Sequence, residues 1–377
     1  MRPYYPYGLS ELCHYPYDPA PITWPAELAG WPVVRVGFPA KPREEIEVEA
    51  RTEGKTNEAT TDGKTAEASA ESRAVQSLST IADQEGFLET SDPALQDSAD
   101  RREAMLLSYR QLYELWERQQ WATQDLDFSR DRTDWHERIE PEERFQRMYG
   151  LSAFFIGEQR VTDELGPIMR ACPTEEQRIF LSTQIADEAR HVRFFNRFYE
   201  EVGVLEGADD LASRLRATEQ HLNESFGELF DGMLKGRVDR LAAEPENTEL
   251  LVEAITLYHM IIEGALALTG QHFIIDYNVD QDTLPGFVEG FQNVARDEHR
   301  HIAFGVRFLT DMAKADDRYR EAIQRTMTEA LPIADAVLDP PWAEEDDWEL
   351  FGYSRGETHA FAAECLSRRL KVIGLAA

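Results

Sequence analysis

Asp187-Glu188-Ala189-Arg190-His191 and Asp297-Glu298-His299-Arg300-His301 decide how this chain is read. Each stretch sets a glutamate and a histidine three apart, inside a segment whose apolar residues recur at helical spacing. On a helix, residues i and i+3 share a face, so each pair can aim two metal-binding side chains the same way. Each pair also trails a lone glutamate: Glu158 stands 30 residues before Glu188, and Glu263 stands 35 before Glu298. Four carboxylates and two imidazoles, delivered by four helices, form the ligand set of a two-metal centre inside a helical bundle.

The repeat carries the weight, because a single Glu-x-x-His pair is weak. Glu11 and His14 have the same spacing, but they lie in a Tyr/Pro-rich stretch with no helical period and no upstream glutamate. They read as chance. Carboxylates are hard oxygen donors that can bridge two metals, and imidazole suits iron and tolerates manganese. Two divalent ions balance four carboxylates, which offsets the cost of burying the acids. Asp187 and Asp297, each beside a ligand glutamate, are candidates to receive the outer N–H of a ligand histidine. His259 lies one turn before Glu263 and can share its face, but on so apolar a helix it reads as a core residue rather than a seventh ligand. His299 is turned away from the His301 face. Phe154, Phe155, Phe195, Phe198, Phe273 and Phe304 read as core, with the capacity to line an apolar channel.

The chain has 377 residues and is 42% apolar, enough for one large domain and extra segments. It has no run of about 18 apolar residues, so no transmembrane helix is expected. The start, Met1-Arg2-Pro3-Tyr4-Tyr5, lacks the apolar core of a signal peptide. Cys13, Cys172 and Cys365 are too scattered for a zinc site or a disulfide framework, so a cytoplasmic location is expected. The formal charge of −32 argues against binding nucleic acid or an anionic membrane.

Residues 1–100 form an extension, Tyr/Pro/Trp-rich at first and acidic afterwards. From Glu49 to Ser72 it has too little apolar surface to offset chain entropy, and it is expected to be mostly disordered. Residues 101–377 form the folded domain. Leu106, Tyr109, Leu112, Tyr113 and Trp116 recur at helical spacing. A polar loop is expected from Asp125 to Trp135, then a helix opened by Pro141 and bent or ended at Gly166-Pro167. Thr174 and Gln177 make a capping box for the next helix. Further helices are expected over 209–236, 247–276, 286–312, 317–338 and 357–372, the last capped by Ser354 and Glu357. Strand signals are almost absent. The fold class is all-α: a ferritin-like four-helix bundle core with additional helices.

These segments resemble the ribonucleotide reductase small-subunit superfamily, and more closely its ligand-binding oxidase branch. The resemblance covers roughly residues 105–375. It is carried by Gln124-Asp125-Leu126-Asp127-Phe128, Gly157-Glu158-Gln159-Arg160-Val161-Thr162, Tyr258 through Glu263-Gly264, the two Glu-x-x-His stretches and the end Arg368 to Leu375. It implies metal ligation by Glu158, Glu188, His191, Glu263, Glu298 and His301. It implies one manganese and one iron ion per chain, with di-iron as the alternative. It also implies O2 activation, a long-chain fatty-acid-like ligand, a homodimer and an ether cross-link between Tyr258 and Val161. Helix geometry places Val161 near Glu158; Tyr258, five residues before Glu263, owes its assignment to the resemblance alone. The reductase branch usually has a tyrosine four residues after the first histidine, and Phe195 stands there. A radical-generating reductase subunit is the alternative, and a ferritin-like metal store is the non-enzymatic one.

Overall fold

The computed structural model describes residues 106–343 and 347–375. The Glu11–His14 pair, Cys13 and the whole expected extension lie outside the described residues. The domain is built from α1 (Tyr109–Arg118), α2 (residues 129–138), α3 (Pro141–Ala171), α4 (Glu175–Val202) and α5 (Leu211–Glu219). It continues with α6 (residues 224–243), α7 (Thr248–Asp280), α8 (Pro285–Ala315), α9 (Asp317–Val337) and α10 (Arg355–Ile373). Two short antiparallel strands, β1 (Glu349–Leu350) and β2 (Tyr353–Ser354), pair Glu349 with Ser354 and Leu350 with Tyr353. The all-α bundle expected from the sequence is present, with α3, α4, α7 and α8 as its four-helix core.

Local chemistry sets the helix ends. Pro141 occupies the first turn of α3, where its missing N–H costs nothing. The Thr174/Gln177 and Ser354/Glu357 capping boxes open α4 and α10. Gly203 and Gly374 close those helices in the left-handed region, with φ of 75° and 84°. Two apolar clusters fill the bundle. One gathers Phe180, Tyr258, Phe304 and Phe308; the other gathers Phe194, Phe195, Phe287 and Phe291. The glutamates and histidines lie near the join between the two.

Three expectations need correction. The stretch from Asp125 to Trp135 is not a polar loop. It forms one 3-10 turn and then α2, because Asp131 and Asp134 turn inward and serve α8. Asp131, fully buried, accepts from the backbone N–H groups of Gly286 (2.9 Å) and Phe287 (2.6 Å). Asp134 accepts from Leu284 N–H at 3.0 Å. α3 also runs on through Pro167 to Ala171, since a proline near the end of a helix removes only one late hydrogen bond. The expected helix over 209–236 is two helices, because Asn223 caps a new start at Phe226 N–H. α7, by contrast, has the length and mean hydropathy, 1.5, of a membrane span. The window that reaches this value is 83% buried inside the bundle, as for a core helix.

The cap on α8 yields a testable value. Asp131→Ala strands two buried N–H donors and removes a carboxylate from a helix N-terminus. A loss of about 2–3 kcal/mol in unfolding free energy is expected. Urea unfolding followed by circular dichroism measures it, and a loss below about 0.5 kcal/mol would show that the cap is not needed.

Candidate metal centre

The four core helices bring all six sequence-expected residues together. α3 supplies Glu158, α4 supplies Glu188 and His191, α7 supplies Glu263, and α8 supplies Glu298 and His301. All six are buried. They fall into two overlapping groups: Glu158, Glu188, His191 and Glu298, and then Glu188, Glu263, Glu298 and His301. Glu188 and Glu298 belong to both. Oε2 of Glu188 lies 3.3 Å from His191 Nδ1, and its Oε1 lies 3.3 Å from His301 Nδ1. Glu298 spans the same gap, with Oε1 at 3.4 Å from His191 and Oε2 at 3.7 Å from His301. Glu158 closes the first group at 3.2 Å from His191, and Glu263 closes the second at 3.6 Å from His301.

Both histidines turn Nδ1 inward and Nε2 outward, and the outward contacts cross between helices. His191 of α4 meets Asp297 of α8 at 3.3 Å, and His301 of α8 meets Asp187 of α4 at 3.2 Å. Sequence reasoning picked out both aspartates; their exchange between the halves is a tertiary fact that it did not reach. Arg300, almost fully buried, binds Asp187 at 2.9 Å and Asp297 at 2.6 Å, and Arg190 also pairs with Asp187. Two tryptophans complete the layer: Trp116 Nε1 donates to Asp187 at 2.9 Å, and Trp121 Nε1 donates to Asp297 at 2.7 Å. α1 packs on α4 and α8 and so carries Trp116 to its place.

Electrostatics mark the cluster as a cation site. Burial pushes Glu158 and Glu263 well above the usual carboxylate range. Burial also acts on Glu188, but His301 and His191 outweigh it and hold that carboxyl well below. Both imidazoles are raised well above their usual value, because the surrounding carboxylates overcome burial. Glu188 Oε2, Glu263 Oε2, Glu298 Oε2 and His301 Nδ1 are buried without a hydrogen-bond partner. Each such atom costs about 1–3 kcal/mol when left unmet, and two divalent cations would satisfy all four. The donor set therefore fits a pair of divalent metal ions.

Tyr258 sits on this centre. Its hydroxyl donates to Glu188 Oε1 at 3.2 Å, in full burial. The reason lies in α7, which is wound more widely over Thr256–Ala267. In such turns hydrogen bonds run from i to i+5, so residues five apart come onto one face. Val161, buried on α3, belongs to the same apolar cluster as Tyr258. His259 joins neither metal group; its Nε2 meets Gln184 Oε1 at 3.1 Å. Gln184 carried no signal beyond lying one turn before Glu188. His299 bonds the Ala295 carbonyl of its own helix and stays off the site, as expected.

A cavity of about 140 Å³ opens on the centre. Glu158, Glu263 and Glu298 are among its lining residues, together with Val161, Phe154 and Phe273. The rest of its wall is almost wholly apolar. Of the six phenylalanines considered above, Phe154 and Phe273 line this space, and the other four are core.

Solved structures similar to this chain include R2-like ligand-binding oxidases. One is a glycine-to-leucine variant of an R2-like ligand-binding oxidase with anaerobically reconstituted Mn/Fe cofactor (27% identity, TM-score 0.62, covering 72% of this chain and 94% of that one). A valine-to-isoleucine variant of an R2-like ligand-binding oxidase, with anaerobically reconstituted Mn/Fe cofactor, is 26% identical with TM-score 0.62 and the same coverage. An R2-like ligand-binding oxidase with aerobically reconstituted metal cofactor after photoconversion is 25% identical, with TM-score 0.61 over 72% of this chain and 94% of that one. The family "Ribonucleotide reductase, small chain" matches residues 107–377, well over half of the sequence and the whole of the bundle, and the chain belongs to that family.

Proposed function

We propose that this protein is a dimetal-carboxylate oxidase that uses O2 to withdraw two electrons from its substrate. The observation that carries the reading is the apolar cavity ending on Glu158, Glu263 and Glu298. A metal store needs no such ligand space beside its metals. Glu158, Glu188 and His191 would hold the first ion, and Glu263, Glu298 and His301 the second, with Glu188 and Glu298 bridging. One manganese and one iron ion per chain, as in the similar oxidases, is our assignment, with di-iron as the alternative; the ligand types do not distinguish the two metals. When bound, the metal pair supplies the capacity to reduce O2.

The protein's own residues do the rest. The apolar cavity wall suits the first carbons of a long-chain fatty-acid-like ligand, whose carboxylate would point to the metal end. Burial, joined by the surrounding glutamates, raises the Tyr258 phenol well above its ordinary pKa, so it keeps its proton at rest. In the proposed cross-linking, Tyr258 gives up its O–H hydrogen and Val161 one C–H hydrogen. A phenolic O–C bond joins them, and the two electrons and two protons released pass to O2. Glu188 Oε1 is placed to receive the phenolic proton. A homodimer, as the resemblance implies, and a cytoplasmic location, which the scattered cysteines suit, are part of the same proposal.

Peptide mass spectrometry on protein loaded with manganese and iron in air tests this, with metal content read on the same sample. The expected result is the Val161 and Tyr258 peptides joined with loss of two hydrogens. Tyr258→Phe is expected to retain both metals and yield no joined peptide. Separate peptides in a wild-type protein holding two metals would turn the assignment to a radical-generating reductase subunit.

A further inference from the structure

The two halves of the centre repeat one another closely. Glu158 corresponds to Glu263, Asp187 to Asp297, Glu188 to Glu298, Arg190 to Arg300 and His191 to His301. One turn earlier the repeat breaks. Four residues before Glu188 stands Gln184, but four before Glu298 stands Val294. Four before Glu263 stands His259, but four before Glu158 stands Phe154. Each half thus has one polar and one apolar residue at these places, and the two polar ones, Gln184 of α4 and His259 of α7, meet.

The polar pair makes contact with the centre. Gln184 Nε2 donates to Glu263 Oε1 at 2.8 Å and approaches Glu188 Oε1 at 3.3 Å. Both of these oxygens face His301. Carboxylates that bind a metal are ionised and only accept hydrogen bonds, so in the loaded site the NH2 group of Gln184 must face them and its carbonyl must face His259. His259 Nε2 therefore carries a hydrogen and donates it to Gln184 Oε1. Burial, aided by nearby His301, pushes the His259 pKa down to about 3, so the ring is neutral with a single N–H to give. Space for that ring is built in, because a side chain on Gly305 would collide with it.

We propose that Gln184 and His259 are positioning residues that make the two metal positions unequal. The proposal rests on the two-metal reading above. His259 fixes which way the Gln184 amide points. The amide ties back one oxygen of Glu263 and draws electron density from the second-position oxygen of Glu188. Glu263 is held in one pose, with Oε2 left for the metal. Glu158 has no such amide at the corresponding place, so its carboxylate is free to change pose. Two ligand sets of identical composition thereby become a rigid position beside His301 and an adaptable one beside His191.

The test uses the full chain, with Gln184→Met, which keeps volume and removes the amide, and His259→Phe, which copies the other half. Each protein is titrated without O2 with Mn(II) alone, Fe(II) alone and an equal mixture. Metal per chain is counted, and anomalous diffraction at the two metal edges assigns each position. In Gln184→Met, affinity at the His301 position is expected to fall 10- to 100-fold, the range for loss of a group that orients ligands. The His191 position is expected to stay within about threefold, a separation smaller than that range. His259→Phe is expected to shift in the same direction by less, because the amide can then turn. Equal losses at both positions, or none at either, would overturn the proposal. If Gln184→Met fails to fold by circular dichroism, His259→Phe decides: selective depletion beside His301 supports the proposal, and even occupancy refutes it. Wild-type protein that never takes two ions overturns the two-metal reading itself, which separates the two failures.

Discussion

Glu188→Ala is expected to leave the protein unable to hold either metal ion. Glu188 presents one oxygen to each half, 3.3 Å from His191 and 3.3 Å from His301, so its loss takes a ligand from both positions at once. It also leaves both buried imidazoles with one of the two acids that stand between them, Glu298. His301→Ala differs in kind, since it strips only the second position. The measurement is metal content after loading and desalting, with circular dichroism to show that the fold persists. Glu188→Ala should carry less than about 0.2 ions per chain, as expected when metal affinity falls by well over the 100-fold seen for lesser losses. Two retained ions per chain would remove Glu188 from the ligand set and undo the bridging assignment.

Arg300→Met is expected to cost about 3–5 kcal/mol of stability in the metal-free protein, the usual penalty for removing one partner of a buried ion pair. The side chain is 1% exposed and joins two aspartates that are themselves buried. Methionine fills the volume but leaves Asp187 to Arg190 and Asp297 to a guanidinium at 4.0 Å. Burial raises both carboxyls, and the histidines and Arg300 hold them low. Without Arg300, part of that hold is lost. Equilibrium urea unfolding reads the difference, and a change under about 1 kcal/mol would mean that Arg190 and the two tryptophans already satisfy the pair.

The clustering of the six residues was legible because much of its information is local: a spacing of three on a helix puts Glu188 with His191, and Glu298 with His301, on one face. The paired aspartates were legible as neighbours of those residues. Their exchange between α4 and α8 was not, because it depends on how two distant segments pack. Tyr258 was out of reach for another reason. The count from Tyr258 to Glu263 assumes an ordinary helix, and α7 is not ordinary between Thr256 and Ala267. Asp131 and Asp134 misled in the opposite direction. Acid-rich sequence reads as solvated loop, but these two carboxylates serve buried N–H groups more than 140 residues away. Gln184 left no trace, since an amide one turn from a ligand is common and becomes informative only when its partners are seen.

The crossed contacts between His191 and Asp297 and between His301 and Asp187 bear on how the centre can move. Each imidazole is clasped by the helix opposite its own, so α4 and α8 are pinned to each other at two points. Sliding either helix along its axis would break both pins together. The nitrogens are therefore fixed pivots, and Glu158, which no amide ties back as Gln184 ties Glu263, is left as a compliant part. A change of charge at the centre can be absorbed by carboxylates swinging against a stationary frame. In the proposed oxidase, that arrangement would keep the reorganisation accompanying electron transfer small and confine it to the face that opens on the cavity.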